Sequence, residues 1–300
     1  MMRLGGVLVA LATPFGADGS SVDEPALRRL VDAVIGGGVA GIVPCGSTGE
    51  FTSLTNEERR RVAEVVLDQA AGRVPVVPHV GAMTTHEAAG LARHAEAAGA
   101  AGVMAVAPWY EPLTLDETHA YFTGIAGSIS IPVMAYNLPV ATGNNLTGEW
   151  LAALAEETGN VCYVKDTSGD LAQAQRLAKD FGHLLGVFVG WDTLLAPAFI
   201  AGVAGTVVGA ANFLAPQIVE VWQLVQSGRP DEALERWAHI LPVLETLTSG
   251  HYNGGIKLGL EMIGLASGPN RDPVLPVPRA YRDLLAARIA ELGLPQASVR

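Results

Sequence analysis

Short apolar runs alternate with longer amphipathic segments along most of the chain. The runs have the uniform hydrophobicity of strands that are buried on both faces. They lie near residues 5–12, 40–45, 75–80, 102–107, 132–136, 161–165, 186–190 and 205–209. The amphipathic segments predict helices near residues 23–36, 56–70, 85–98, 115–126, 148–157, 169–180, 192–201 and 216–227. Capping residues stand at the helix starts, namely Ser21 with Asp23, Thr55 with Glu58, Thr84 with Glu87, Thr114 with Glu117, Thr147 and Ser168.

Eight strand–helix alternations predict an α/β protein with a (β/α)8 TIM barrel, rather than an open doubly wound sheet. A Gly-x-x-Gly joint between helix and strand recurs at Gly38, Gly99 and Gly202, as expected of a repeated βα unit. No GxGxxG motif follows the first strand, which also disfavours a dinucleotide-binding fold. Beyond residue 230 the pattern is helical only. We therefore expect a barrel over residues 1–228 and a C-terminal helical extension over residues 229–300.

Composition excludes several classes of protein. The chain is 49% hydrophobic and 16% charged, which indicates a large core, yet no apolar stretch is long enough to predict a membrane span. We interpret the N-terminal run as a first strand, not a signal peptide. The net charge is −11, and the largest basic cluster, Arg59–Arg61, follows Glu57 and Glu58 as on a solvated helix face. Nucleic acid is therefore not an expected partner.

The cysteines and histidines do not predict a metal site or a disulfide. Cys45 and Cys162 both lie in apolar runs, and two buried thiols suit a reducing cytoplasm. A CxxC pair is absent from the sequence, and the seven histidines show neither HxxxH nor HExxH spacing. We therefore expect a cytoplasmic protein without a metal.

Lys165 is the residue with the clearest chemical meaning. It ends an apolar run and is followed at once by turn and cap residues, in a chain with only three lysines. Burying an ammonium is costly, so an amine at a strand end suggests a nucleophile that attacks carbonyl groups. That chemistry is Schiff-base formation. The structural alternative is a lysine that pairs with Asp166 or Glu50.

Other polar groups follow the neighbouring strands, and the carboxyl ends of barrel strands meet at one rim. Residues 46–50, Gly-Ser-Thr-Gly-Glu, are called the hydroxyl turn below; its hydroxyls and N–H groups suit a carboxylate, although an ordinary turn would look the same. Tyr136 ends the fifth strand and could relay protons, or simply bond to backbone. Tyr110 follows Trp109 and is equally consistent with packing. Asp192 has the position of a helix N-cap.

Together these motifs resemble the dihydrodipicolinate synthase / N-acetylneuraminate lyase family of class I, Schiff-base aldolases. The resemblance covers essentially the whole chain. It rests on the hydroxyl turn, on Tyr136-Asn137-x-Pro139, on Lys165 followed by Thr167, and on Gly190 with the run at 205–212.

The resemblance implies a barrel enzyme that is usually a homotetramer and needs no cofactor. It implies that Lys165 condenses with a 2-oxo acid, that Tyr136 transfers protons, and that Thr48 and Tyr110 extend the relay, with Tyr110 crossing a subunit interface. Ser47 and Thr48 would bind the substrate carboxylate. The implied substrate wall is completed by Thr167, Gly190, Asp192 and the Val207 carbonyl.

Three departures bear on the substrate. Dihydrodipicolinate synthases typically carry an arginine where this chain has Ala141, and alanine offers no donor to a second carboxylate. Neuraminate lyases usually have Glu at the position of Thr193 and Ser at that of Gly209. We therefore expect a lyase for a hydroxylated 2-oxo acid, such as a 2-keto-3-deoxy sugar acid.

Several alternatives remain open. Aldolase and dehydratase activity share one intermediate, so the sequence does not separate them. Two further alternatives are dihydrodipicolinate synthase activity and neuraminate lyase activity. The chain could also be a non-catalytic 2-oxo-acid binder, or a pyridoxal-phosphate barrel with its phosphate near Gly205 and Gly209.

Overall fold

The strands form one parallel sheet that curves into a barrel. In a computed structural model, which describes residues 4–294, seven strands follow one another in the order β2-β1-β7-β6-β5-β4-β3. They are β1 Gly6–Ala10, β2 Gly41–Val43, β3 Val103–Val106, β4 Val133–Asn137, β5 Val161–Asp166, β6 Gly186–Val189 and β7 Gly205–Val208. Nearly every strand residue is buried, because helices cover the outer face and side chains fill the interior.

The predicted third strand closes the barrel without forming a regular strand. A parallel bridge joins Val76 to Ile42 of β2, and a second bridge joins His79 to Met104 of β3. Pro78 has no N–H to donate, so the ladder is interrupted within this segment. The sheet thus closes through eight strand positions, and the predicted (β/α)8 barrel is confirmed.

Helices surround this sheet as the amphipathic pattern predicts. They are α1 Glu24–Gly36, α2 Asn56–Ala70, α3 Thr85–Ala97, α4 Leu115–Ala126, the one-turn α5 Pro139–Thr142, α6 Gly148–Thr158, α7 Leu171–Phe181, α8 Leu195–Ile200 and α9 Ala211–Gln226. The capping boxes of Thr55 with Glu58 and of Thr114 with Glu117 are both present, so these two helix starts are confirmed.

Two local predictions are wrong. Asp170, not Ser168, caps α7, because the Asp170 side chain accepts an N–H of the first turn. In addition, α9 begins at Ala211 instead of near residue 216. The chain kinks at Leu214 before Pro216, and this kink accommodates a proline that has no N–H for the helix.

Arg59 also differs from expectation. It was predicted on a solvated helix face with Arg60 and Arg61, but its side chain is only 5% exposed. Its Nη2 donates to the carbonyl oxygens of His79 (2.9 Å) and Gly81 (3.0 Å). These carbonyls lie where the third strand position ends, so the guanidinium satisfies backbone groups that the irregular strand leaves unpaired. Burial lowers the pKa of Arg59.

The C-terminal helical extension is present. It consists of α10 Pro230–Thr248, α11 Tyr252–Met262 and α12 Arg279–Glu291, and residues 230–294 contain no strand. Both α10 and α11 pack against α9 of the barrel. The proposed boundary after residue 228 falls in the turn between α9 and α10 and stays a prediction. The outer ends of the two predicted units, residues 1–3 and 295–300, lie outside the described residues.

A buried ion pair ties the extension to the barrel rim. Lys257 Nζ of α11 lies 2.6 Å from Glu50 Oε1, and both side chains are 4% exposed. The ammonium also donates to the Pro269 carbonyl (2.7 Å) and lies 4.2 Å from the centre of the Phe15 ring. The other Glu50 oxygen accepts the Arg271 N–H (3.1 Å). The last residue of the hydroxyl turn therefore has a structural role.

Replacing Lys257 by methionine should lower the free energy of unfolding by about 3–5 kcal/mol, because the Glu50 carboxylate would stay buried without its ammonium partner. The exposed Lys179 provides the matched control, since Lys179→Met should change stability by no more than about 0.5 kcal/mol. Urea unfolding of the two variants measures the difference. Equal midpoints would show that the pair does not hold the extension.

Candidate active site

The register between β4 and β5 places two predicted site residues side by side. Tyr136 pairs with Lys165 near the carboxyl ends of these strands. Lys165 Nζ lies 4.1 Å from the centre of the Tyr136 ring. Tyr136 is 4% exposed and Lys165 is 5% exposed, and both line the same cavity. The nucleophile and the phenol predicted from the sequence are therefore neighbours.

Among residues 4–294, Lys165 has no carboxylate partner, contrary to the structural alternative. Glu50 is bound to Lys257, and the Asp166 carboxylate accepts from Asn137 Nδ2 (2.8 Å) and Ser168 Oγ (3.1 Å). Within residues 4–294 no salt bridge joins the Lys165 amine to an acidic group. The amine is thus available to approach a carbonyl carbon in the cavity.

A buried polar network lies behind these two side chains, on the outer face of the sheet. Asn137 and Asp166 pair with each other one residue beyond the tyrosine and the lysine, so they point to the opposite face. Gln173 of α7 also donates to Asp166 (3.3 Å). Burial raises the pKa of Asp166, and the hydrogen bonds from Asn137, Ser168 and Gln173 oppose that effect. The network fixes the relative position of the two strand ends.

The hydroxyl turn forms another wall of the cavity. A side chain at Gly49 would meet the Leu11 carbonyl oxygen at 3.0 Å, so the turn packs tightly against the chain that leaves β1. Cys45, just before the turn, has a φ of 58°, a left-handed conformation that is unfavourable for a residue with a side chain. Ser47 and Thr48 both line the cavity, and Thr48 is 5% exposed.

The cavity has a volume of about 400 Å³. It brings together the predicted residues Ser47, Thr48, Tyr136, Lys165, Thr167, Gly190, Asp192 and Val207. The rest of its wall consists of Leu138, Val140, Trp191, Gly209, Leu247, Thr248, Gly250, His251 and Tyr252. Ala141 and Thr193, two of the positions that depart from the family pattern, are outside this wall.

Thr167 and Gly190 are tightly packed around the lysine. A Cβ at Gly190 would lie 2.0 Å from Thr167 Oγ1 and 2.6 Å from Lys165 Cε, so only glycine fits there. The Thr167 hydroxyl is buried and has no hydrogen-bond partner within residues 4–294. A buried hydroxyl without a partner that lines a cavity can bond to a polar group of a ligand.

Asp192 is not the simple helix cap that its position suggested. Its side chain makes no capping bond; instead Oδ2 accepts from the Tyr252 hydroxyl (2.7 Å) and Oδ1 from the Ala210 N–H (3.2 Å). Burial raises the pKa of the Asp192 carboxyl, and the hydrogen bond from Tyr252 lowers it in part. Sequence reasoning missed Tyr252, because it belongs to the extension and carries no motif that links it to the barrel rim.

Tyr110 lies apart from the other predicted residues. Its side chain is 83% exposed and does not line the cavity.

The two cysteines differ in burial. Cys45 is buried, and burial raises the pKa of its thiol to about 12. Cys162 is only partly buried, contrary to expectation. In the described part of the chain, no cluster of His, Cys, Asp and Glu could hold a metal ion, and no helix is long and apolar enough to cross a membrane.

A barrel that holds an unpaired lysine, a tyrosine and a hydroxyl-bearing turn at the carboxyl ends of its strands has the architecture of a class I, Schiff-base aldolase. Comparison with known proteins agrees with this class. The model of the Dihydrodipicolinate synthetase family matches residues 3–292, and the chain belongs to that family, whose members are lyases.

The relatives match the chain over nearly its whole length. It is 34% identical over 292 residues to a 4-hydroxy-tetrahydrodipicolinate synthase of Methanopyrus kandleri, covering 97% of each chain. It is 36% identical over 293 residues to an uncharacterized DapA-like lyase of Halobacterium salinarum, covering 98% of this chain and 95% of that one. Among solved structures, YagE, a prophage protein of the dihydrodipicolinic acid synthase family from E. coli K12 in complex with pyruvate, superposes with a TM-score of 0.93. Its identity is 28%, and the match covers 98% of this chain and 100% of YagE.

Gly190→Ala should lower the lyase activity by about 100-fold. The new methyl group would overlap Lys165 Cε and push the amine out of its position for attack on the substrate carbonyl. Gly36→Ala is the matched control, since a Cβ there meets no atom within 4 Å. Activity and the thermal unfolding midpoint are measured for both variants. Full activity of the Gly190 variant would contradict the tight packing around the lysine.

Proposed function

We propose that this lyase forms a Schiff base between Lys165 and a hydroxylated 2-oxo acid, such as a 2-keto-3-deoxy sugar acid, and cleaves or dehydrates it. The observation that carries the proposal is the unpaired Lys165 amine beside the Tyr136 ring, inside a cavity that also holds Thr48. The pyruvate complex of YagE supports a 2-oxo acid as the ligand.

The chemistry follows from the amine. Lys165 Nζ attacks C2 of the 2-oxo acid, and loss of water from the carbinolamine gives an iminium ion. The iminium accepts the electron pair of the C3–C4 bond while the C4 hydroxyl loses its proton, which releases an aldehyde and leaves an enamine that takes up a proton at C3. Alternatively, the iminium accepts the electron pair of the C3–H bond, and the resulting enamine expels the C4 hydroxyl as water. We assign the proton transfers at the C2 and C4 oxygens to Tyr136. Hydrolysis of the imine then releases the 2-oxo acid product and frees the amine for another turnover.

Neutral donors hold the substrate carboxylate in this scheme. Ser47 and Thr48 offer hydroxyl and N–H groups, and Thr167 offers a hydroxyl that no other described residue uses. Neutral donors bind the carboxylate without cancelling the positive charge of the iminium. From the family resemblance we infer that the carbonyl of Val207, which lines the cavity, helps to orient the tyrosine and the lysine.

The cavity wall argues against a second substrate carboxylate. No arginine lines it within residues 4–294, and the segment after Tyr136 contributes only Leu138 and Val140. The hydroxyl turn holds one carboxylate beside the positive charge of the iminium, whereas a second carboxylate far from that charge would be buried without a cationic partner, which is costly. The substrate that we propose therefore differs from that of the synthase of M. kandleri: it has one carboxylate and a hydroxylated tail.

Incubation with pyruvate and borohydride should add one reduced pyruvyl group to Lys165, detected by intact-mass spectrometry and peptide mapping. Lys165→Met should give no adduct, because the nucleophile is gone, whereas Lys179→Met should react as the wild type does. An unlabelled Lys165 in the wild type would contradict the mechanism. A visible absorption band of the purified protein would indicate a pyridoxal-phosphate enzyme instead.

A panel of 2-keto-3-deoxy sugar acids, scored for both pyruvate and dehydrated product, then separates cleavage from dehydration. Capture of a 2-oxo acid without turnover of any member would favour a non-catalytic binder.

We further propose that the chain assembles, as a homotetramer, and that Tyr110 completes the site of a neighbouring subunit. Its exposure supports the proposal, because a side chain that is 83% exposed is accessible to another copy of the chain. Lys165→Met and Tyr110→Phe should each lower activity, and co-expression of the two variants should restore part of it, because mixed pairs contain one complete site. No restoration would show that Tyr110 acts within its own chain or not at all.

A further inference from the structure

Tyr252 enters the cavity from the C-terminal extension. It is the first residue of α11, and the preceding His251 has a φ of 53°, a left-handed conformation that turns the chain toward the barrel rim. The Tyr252 hydroxyl donates to Asp192 Oδ2 (2.7 Å) and accepts the Gly209 N–H (3.0 Å). Two bonds therefore fix the phenol in one position.

The fixed phenol fills the space beside Gly209. A Cβ at Gly209 would lie 2.7 Å from Tyr252 Oη and 2.9 Å from Thr48 Oγ1. The phenol thus reaches close to the hydroxyl turn, where the proposed function places the substrate carboxylate. A substrate tail that extends from the reacting carbons toward Gly209 would collide with the Tyr252 ring.

The hydrogen bond from Tyr252 also makes Asp192 less available to a substrate. Each of its oxygens already accepts a hydrogen bond, and the residue is only 3% exposed. Tyr252 and the Ala210 N–H therefore occupy this carboxylate, and a tail hydroxyl has to bond to other residues of the cavity wall.

We propose that Tyr252, held by Asp192 and Gly209, limits how far the hydroxylated tail of the proposed 2-oxo acid can extend beyond C4, which makes it a specificity-determining residue. This inference rests on the proposed function. It also explains why Gly209 carries no side chain: any larger residue would displace the phenol.

The experiment traps 2-oxo acids of increasing tail length on Lys165 with borohydride and measures each adduct by mass spectrometry, so no natural substrate has to be known. The series is pyruvate, 2-oxobutyrate, 2-oxopentanoate and 2-oxohexanoate, none of which carries a C4 hydroxyl that would allow cleavage or dehydration. In the wild type the adduct yield should fall with tail length. In Tyr252→Ala the yield of the longest acids relative to pyruvate should rise about tenfold.

Tyr252→Phe separates the two effects and guards against misfolding of the alanine variant. It keeps the ring but frees Asp192, which can then pair with the Lys165 amine, so trapping of every acid should fall while the ratio of long to short acids stays that of the wild type. Tyr281→Phe is the matched control, because it removes a phenol hydroxyl of the same extension that lies outside the cavity. Its profile should equal that of the wild type.

A coupled substitution tests the contact itself. Gly209→Ala should reduce the trapping of pyruvate, and Tyr252→Ala in the same chain should restore part of it. If Lys165 is trapped in every variant but the tail-length profile never changes, the role of Tyr252 is refuted and the proposed function stands. If pyruvate does not label Lys165 of the wild type, the proposed function fails and this inference fails with it.

Discussion

The site depends on keeping one amine without a counter-ion among several acidic groups. Asp166 is the next residue in the chain, Asp192 lines the same cavity, and Glu50 ends the hydroxyl turn. Each is bound elsewhere: to Asn137 and its neighbours, to Tyr252 and to Lys257. A buried carboxylate without such partners would form an ion pair with the nearest cation, here the Lys165 ammonium, because desolvation penalises an unpaired charge. The other donors therefore leave Lys165 free.

Two of those three donors come from the C-terminal extension. Lys257 and Tyr252 both lie on α11, and each reaches across the barrel rim to a carboxylate of the (β/α)8 unit. The extension is thus part of the electrostatic environment of the site, although it contributes neither the proposed nucleophile nor the phenol beside it. Without α11, Glu50 would lose its Lys257 partner and Asp192 would lose its Tyr252 donor.

Most of the barrel could be predicted because strands buried on both faces leave continuous apolar runs in the sequence. The adjacency of Lys165 and Tyr136 followed from the convergence of strand ends at one rim. Tyr252 could not be found that way, since its link to Asp192 depends on how the extension docks. Burial of Arg59 was missed for a related reason: it satisfies backbone carbonyls of an irregular strand, and helical periodicity does not report that demand.

The two parts of the site are held by different contacts, and this bears on how its chemistry and its selectivity can vary. The register of β4 with β5, backed by the Asn137–Asp166 pair, positions the lysine and the tyrosine. The clamp of Lys257 on Glu50 positions α11, whose first residue is Tyr252. A change in how α11 docks would move the phenol relative to Gly209 while β4 and β5 keep their register. Selectivity for the substrate tail can therefore change without loss of the reactive amine.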